Sequence, residues 1–331
     1  MTEAGGLILL YHRVTTLDTD PQLLAVTPED FAEQMEVLRS VARPMALGEM
    51  VAAVRRGEDL RGAVAVTFDD GYADNLLEAK PILQSEGIPA TVFVSTGGTD
   101  ARREFFWDEL ERICLQPGRL PERLRLTVGD SVYEADLGNA AEYSLEEWGH
   151  TRGWNVTVLE NPTARHRVYR EVCGLIHRAT NEQRRMALRR IQQWSGLGCE
   201  GRVSHRMMSG AQLRELADGD LIEVGGHTIN HPLLAVEQIE DQKQEIAGGK
   251  AALEAVLGRA VWGFSYPFGG RRDYNPESVA AVREAGFEYA CSNFNGWVDA
   301  QTDPFQLPRV LVRDWGSDEF QTRLAGWMHR A

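Results

Sequence analysis

Lysine is nearly missing from the chain: Lys80, Lys243 and Lys250 stand beside 32 arginines. Cysteine is scarce as well. Cys114, Cys173, Cys199 and Cys291 lie far apart and form no C-x-x-C pair, which argues against a disulfide framework and against a cysteine metal site. Positive charge is short overall, with 35 Lys+Arg against 49 Asp+Glu and a net charge of −14. A surface this acidic disfavours nucleic acid as a partner, because phosphate binding draws on Lys and Arg. No apolar run approaches the roughly 18 residues of a membrane-spanning helix. The apolar stretch at residues 7–10 is too short for a secretory signal and has no basic residues ahead of it. A cytoplasmic protein is the expectation.

No repeat or low-complexity tract interrupts the 331 residues, of which 43% are hydrophobic and 25% charged, an ordinary globular composition. A chain of this length buries a large core as one α/β barrel or two domains. Short apolar runs at residues 7–11, 63–68 and 90–95 read as buried strands. Between them, residues 28–40 form an amphipathic helix behind Thr27, and residues 75–86 a second helix closed by Gly87. The same alternation resumes with strands at residues 221–224, 261–266 and 289–292 and helices at 237–257 and 276–285. Strands alternating with helices indicate a parallel sheet.

Residues 101–205 break that rhythm with a predicted hairpin around Gly129-Asp130 and an arginine-rich helix ending near Trp194. This segment has sixteen arginines for fifteen acidic residues, so the remainder of the chain holds a charge of −15. The shift predicts an insertion at 101–205 between two parts of one α/β body, 1–100 and 206–331.

Chemistry gathers where strands end. The run 63–68 leads into Asp69-Asp70-Gly71-Tyr72, and two adjacent carboxylates there are costly to dehydrate without compensating charge. Strand 221–224 leads to Gly225-Gly226-His227-Thr228-Ile229-Asn230-His231-Pro232, whose histidines would converge on a metal if the segment made one helical turn. A third strand ends in Ser265-Tyr266-Pro267-Phe268-Gly269, and the first in Tyr11-His12-Arg13. In parallel α/β proteins these carboxyl ends are where active sites collect.

The motifs Thr67-Phe68-Asp69-Asp70-Gly71-Tyr72, His227-Thr228-Ile229-Asn230-His231-Pro232 and Tyr266-Pro267-Phe268-Gly269 resemble those of the polysaccharide deacetylase family (NodB homology, carbohydrate esterase family four), over roughly residues 7–100 and 206–312. The resemblance implies a distorted (β/α)7-type barrel, interrupted here by a mixed, mainly helical insertion. It also implies a metal-dependent N-deacetylase acting on an N-acetylated saccharide. Tyr11-His12-Arg13-Val14 and an insertion starting near Phe106-Trp107-Asp108 are similar to a subgroup associated with surface-glycan biosynthesis, so a nucleotide- or lipid-linked precursor is an expected substrate.

By position, the resemblance makes Asp70, His227 and His231 the metal ligands, Asp69 the general base and the Tyr72 N–H an oxyanion donor. Two imidazoles and one carboxylate suit a divalent ion with open positions; zinc is the default, with cobalt, nickel or iron(II) as alternatives. Two departures stand out. The family's pocket arginine is replaced by Ser265, and Arg309 is the substitute expected to orient Asp69. No late histidine motif supplies a general acid; only His329 follows His231, which leaves His12 as the candidate. Tyr11, Trp107, Asp108, Tyr266, Pro267, Phe268 and Trp297 are the expected substrate contacts. The rival readings are a non-catalytic carbohydrate-binding homologue and a non-haem iron enzyme, which uses a similar ligand set.

Overall fold

A computed structural model describes residues 5–98 and 103–328. The chain forms two compact units, one made of Met1–Thr16, Leu24–Ala101 and Met207–Ala331, the other of Leu17–Leu23 and Arg102–Arg206.

The first unit is built on strands β1 (Leu7–Tyr11), β2 (Ala63–Phe68), β3 (Ala90–Val94), β4 (Ile222–Gly226), β5 (Gly263–Ser265), β6 (Tyr289–Cys291) and β7 (Val310–Leu311). They lie in the order β6-β5-β4-β3-β2-β1-β7 and every pairing is parallel, with the short strand Arg43–Pro44 added beside β2. A further parallel bridge joins Cys291 to Leu307, just ahead of β7, so the sheet curls into a distorted barrel.

Strands such as LILLY and AVAVTF are buried along their whole length, as a sheet covered on both faces requires. Alternate residues divide between two cores. Leu7, Leu9, Tyr11, Val64, Val66, Phe68, Val92 and Val94 belong to a large cluster that includes Phe31, Met35 and Leu38 of the helix Pro28–Val41. Ile8, Ala65, Phe93, Cys291 and Leu307 belong to another, in the barrel interior, with Met50 and Val51 of the helix Leu47–Arg56. Pro28–Val41 starts as expected, with Pro28 in the first turn and the Thr27 hydroxyl accepting from the Asp30 N–H at 3.3 Å.

The helix expected over 75–86 is instead a π-turn, Asn75–Ala79, followed by an α-helix, Lys80–Glu86. Anchors at both ends account for the wider turn. Asn75 Nδ2 donates to the His12 carbonyl at 2.9 Å, while Lys80 Nζ donates to the carbonyls of Glu215, Leu216 and Asp218 at the end of the helix Gly210–Leu216. π-turns of this kind favour functional segments.

In the second unit, a hairpin (Arg123–Val128 with Ser131–Asp136) accompanies the helices Phe106–Cys114, Ala164–His177 and Asn181–Ser195. Buried Arg165 ties the unit together by donating to the carbonyls of Gln116, Gly118, Ala140 and Ala141. Residues 17–23, which the sequence assigns to the barrel, fold here. Thr19 donates to Glu111 at 2.6 Å, Gln22 to the Tyr169 hydroxyl at 2.7 Å, and the Val156 N–H to the Pro21 carbonyl at 2.9 Å. The arginine-rich helix carries both kinds of cation: Arg184 is buried over the Phe106 ring, whereas Arg185 and Arg189 are exposed. No helix among the described residues is long and apolar enough to cross a membrane.

Candidate metal and catalytic centre

β2 delivers Ala65, Thr67 and Asp69 to the barrel interior by simple alternation, and the Asp69 N–H extends the ladder to the Tyr11 carbonyl at 3.0 Å. The Asp69 carboxylate is held in a fork. Arg309 Nη1 donates to Oδ1 at 2.8 Å, Arg309 Nη2 to Oδ2 at 2.6 Å and Ser265 Oγ to Oδ2 at 3.1 Å. Arg309 is itself fixed, with Nε on the Ser292 carbonyl at 2.8 Å and Nη2 on Ser265 Oγ at 2.8 Å. Burial pushes the Asp69 carboxyl up, but the Arg309 guanidinium, joined by His227 and His12, outweighs it and holds the group below the ordinary aspartate value. The arginine absent at position 265 thus has a counterpart that arrives from the segment before β7.

Asp70 adopts φ 76° and Gly71 φ 84°, both left-handed, so two consecutive carboxylates turn toward one centre instead of opposite faces. A Cβ on Gly71 would lie 2.8 Å from Val94 Cγ1, so only glycine fits there.

β4 ends at Gly226, and the Nδ1–H of His227 donates to the Ser265 carbonyl at 2.7 Å, which turns Nε2 toward Asp70 as the atom able to ligate a metal. The chain does not form the helical turn expected between the histidines. Thr228 and His231 take left-handed φ values of 67° and 54°, and the Thr228 hydroxyl accepts from the His231 N–H at 3.1 Å. This tight loop brings the two rings to 4.8 Å and places their Nε2 atoms 3.5 Å (His227) and 3.3 Å (His231) from Asp70 Oδ1. Donors sharing one tetrahedral ion at about 2.1 Å stand about 3.4 Å apart, so the set fits a divalent metal. Within the described residues these are the ones gathered in such a cluster, with ligand atoms within 4.8 Å of one another, all three buried.

The three groups lean on one another. Burial raises Asp70, yet the two imidazoles draw its carboxyl well below the ordinary value; burial lowers His227, yet Asp69 and Asp70 raise it. His12, the residue after β1, lies in the same field. Burial lowers its pKa, Asp70 and Asp69 oppose that, and Arg309 and Arg313 reinforce it, for a net decrease.

Of the expected substrate contacts, Phe268 lies at the centre, its ring 4.6 Å from that of His231, with neighbouring Pro267 buried. Three others are corrected. Tyr11 has the parity of Leu7 and Leu9, so it faces the outer core, stacks on Phe68 and donates to Gln34 Oε1 at 3.0 Å. Tyr266 likewise points outward with Phe264, stacked 4.0 Å from Tyr274 and bonded to the Phe305 carbonyl. Trp297 packs beside Gly5, ahead of β1, and donates its indole N–H to the Trp327 carbonyl; it stands away from the strand ends that carry the aspartates. Tyr72 is buried beneath the Arg13 guanidinium, 4.3 Å from its ring centre. Trp107 and Asp108 belong to the second unit, where Trp107 stacks on Phe105 and the Asp108 carbonyl accepts from Arg202. His329 lies outside the described residues.

Two groups escape sequence reasoning. Arg13 pairs with Asp74 at 3.0 Å and so joins the loops after β1 and β2. Glu245 accepts from the loop between the histidines. The adjacent Gly248-Gly249, unfavourable inside a helix, is the sequence signal that another backbone approaches there.

The sequence pattern of the polysaccharide deacetylase family matches residues 56–117 and 190–290. No curated protein matches the chain. Among solved structures, the chain is similar to the Streptococcus pyogenes deacetylase PplD in complex with acetate, at 16% identity and TM-score 0.56, covering 99% of both chains. It is also similar to IcaB from Ammonifex degensii (21% identity, TM-score 0.57, 98% of this chain and 97% of that one). A third is a de-N-acetylase from Aggregatibacter actinomycetemcomitans (12%, TM-score 0.54, 96% and 99%). At these identities the likeness is one of fold.

Proposed function

The chain belongs to the polysaccharide deacetylase family, and on that premise we propose that it is a metal-dependent hydrolase releasing acetate from an N-acetylated sugar or glycan precursor. One observation carries the reading: an Asp-His-His donor set stands one residue from a second carboxylate that an arginine holds ionised. Asp70, His227 and His231 would hold the ion, with zinc as the default. Such an ion, when bound, supplies Lewis acidity toward water and the acetamide oxygen.

The chain's own groups divide the proton work. Asp69, kept anionic and fixed in orientation by Arg309 and Ser265, accepts the proton of the attacking water. The Tyr72 N–H, presented by the left-handed Asp70-Gly71 turn, is assigned to the oxyanion. His12, which burial and the neighbouring arginines keep below the ordinary histidine value, is assigned to relay to the leaving amine the proton that Asp69 collects. Phe268 closes the side of the centre next to His231 and offers an apolar surface to a sugar ring.

Acetate release is the test. Zinc-loaded protein is incubated with N-acetylated nucleotide sugars, lipid-linked sugars and oligosaccharides. Asp69→Asn is expected to lower acetate release by about 10²–10⁴-fold while zinc content stays at the wild-type level. Full activity in that variant overturns the assignment of the base. Binding of a saccharide by wild type without acetate release points to a non-catalytic carbohydrate-binding protein.

A further inference from the structure

The loop that carries the two histidines has few hydrogen bonds of its own. Its carbonyls are taken by the segment after β3: the Thr96 N–H donates to Thr228 at 3.2 Å and the Gly97 N–H to Ile229 at 2.7 Å. Its amides turn the other way. Glu245 Oε2 accepts from the N–H groups of Ile229 at 3.0 Å and Asn230 at 2.8 Å, and Oε1 accepts from Asn230 Nδ2 at 2.7 Å. Glu245 is buried on the helix Ile239–Leu257. A turn further along, a Cβ on Gly249 would lie 2.9 Å from the carbonyl carbon and oxygen of Thr228, so helix and loop backbone meet directly. At Gly248 the nearest atom is only Ile229 Cδ1, at 2.8 Å, the tip of a flexible side chain.

We infer that Glu245, together with the glycine at 249, is a positioning device for the metal centre. The carboxylate takes both central amides of the loop, and the bare helix surface at Gly249 lets the loop sit close enough to be held. Thr228 and His231 are then kept in left-handed conformations that the loop would leave if it were free. The two Nε2 atoms therefore stand near Asp70 before any ion arrives. The inference rests on the metal reading above, and it concerns how ready the site is, not which residues bind.

The experiment measures Zn²⁺ affinity by competition with a chelating dye, with amide exchange at residues 229–231 as a second readout. Glu245→Ala is expected to bind Zn²⁺ about 10–100-fold more weakly, the range found when groups behind metal ligands are removed. Glu245→Gln should stay within about threefold, because one amide oxygen can accept both backbone N–H groups while the Asn230 amide reverses. Gly249→Ala should weaken Zn²⁺ binding at least tenfold although alanine favours the helix, whereas Gly248→Ala should bind as wild type. Should Glu245→Ala fail to fold, Gly249→Ala against Gly248→Ala decides. Wild-type affinity in folded Glu245→Ala, or equal affinity in the two glycine variants, overturns the inference. Absence of Zn²⁺ binding by the wild-type protein instead overturns the metal reading beneath it.

Discussion

The interior of the barrel is two environments made from the same strands. Toward the amino ends of the strands, Ile8, Ala65 and Leu307 pack against Met50 and Val51 as an apolar core. One or two interior positions later, the residues are Thr67, Asp69, His227, Ser265 and Arg309, buried just as deeply but polar and mutually bonded. The chain crosses from one to the other within five residues, through Ala65 and Thr67 of β2 and Asp69 just past its end. The apolar half stabilises the fold by burial, and the polar half spends conformational freedom and desolvation on arranging charges. The lesson is that stability and chemistry are separable along a single strand.

Substitutions at the two levels should therefore fail in different ways. At the polar level, Asp70→Ala is expected to lower Zn²⁺ affinity more than about 100-fold, beyond the effect of removing a supporting group, while the metal-free protein, which loses the pairing of Asp70 with the two imidazoles, is destabilised less than by an apolar-core truncation. Dye competition and thermal melts in chelator check the two parts; parallel losses would break the separation. At the apolar level, Ile8→Ala should cost about 2–5 kcal/mol of stability by denaturant unfolding, while the folded fraction binds Zn²⁺ as wild type does.

The smallest effect is one of pH. His227 has a raised pKa, so its ion pairing stabilises the metal-free protein fully below the ordinary histidine value and is lost as pH rises through the folded value. Asp69 and Asp70 are depressed, and their contribution, present above the ordinary aspartate value, is lost only as pH falls through their folded values. Metal binding needs neutral imidazole. His12 and His166 act in the opposite sense, their lowered pKa values adding stability as pH rises, so melts in chelator should change little between pH 6 and 9 while the increment added by Zn²⁺ grows; an increment that stays constant or falls would contradict the reading.

Much of this was legible in the residues. Continuous apolar runs between turn signals marked the strands, and the Asp-Asp-Gly and His-x-x-x-His motifs marked the ends that converge. Arg309, which the resemblance suggests only as a substitute for the pocket arginine replaced by Ser265, lies on Asp69. Tyr11 and Tyr266 point elsewhere for one shared reason. Nearness to a motif in sequence says nothing about which face of a strand a side chain takes, and Tyr11 and Tyr266 sit one residue out of phase with His12 and Ser265. Counting by twos from Asp69 and its register partners would have moved both to the outer core. Trp297 needed tertiary contacts, with Gly5 and Trp327, that no local pattern encodes. Nor did His-x-x-x-His reveal a left-handed loop, because the same spacing serves a helical turn.

Five non-glycine residues among those described have left-handed backbone, and four of them, Asp70, Thr228, His231 and Phe268, surround one point. A chain selected for robustness alone would replace such residues with glycine or abandon the conformation. The strain is thus a second place, beside the donor set, where the molecule sets arrangement above ease of folding.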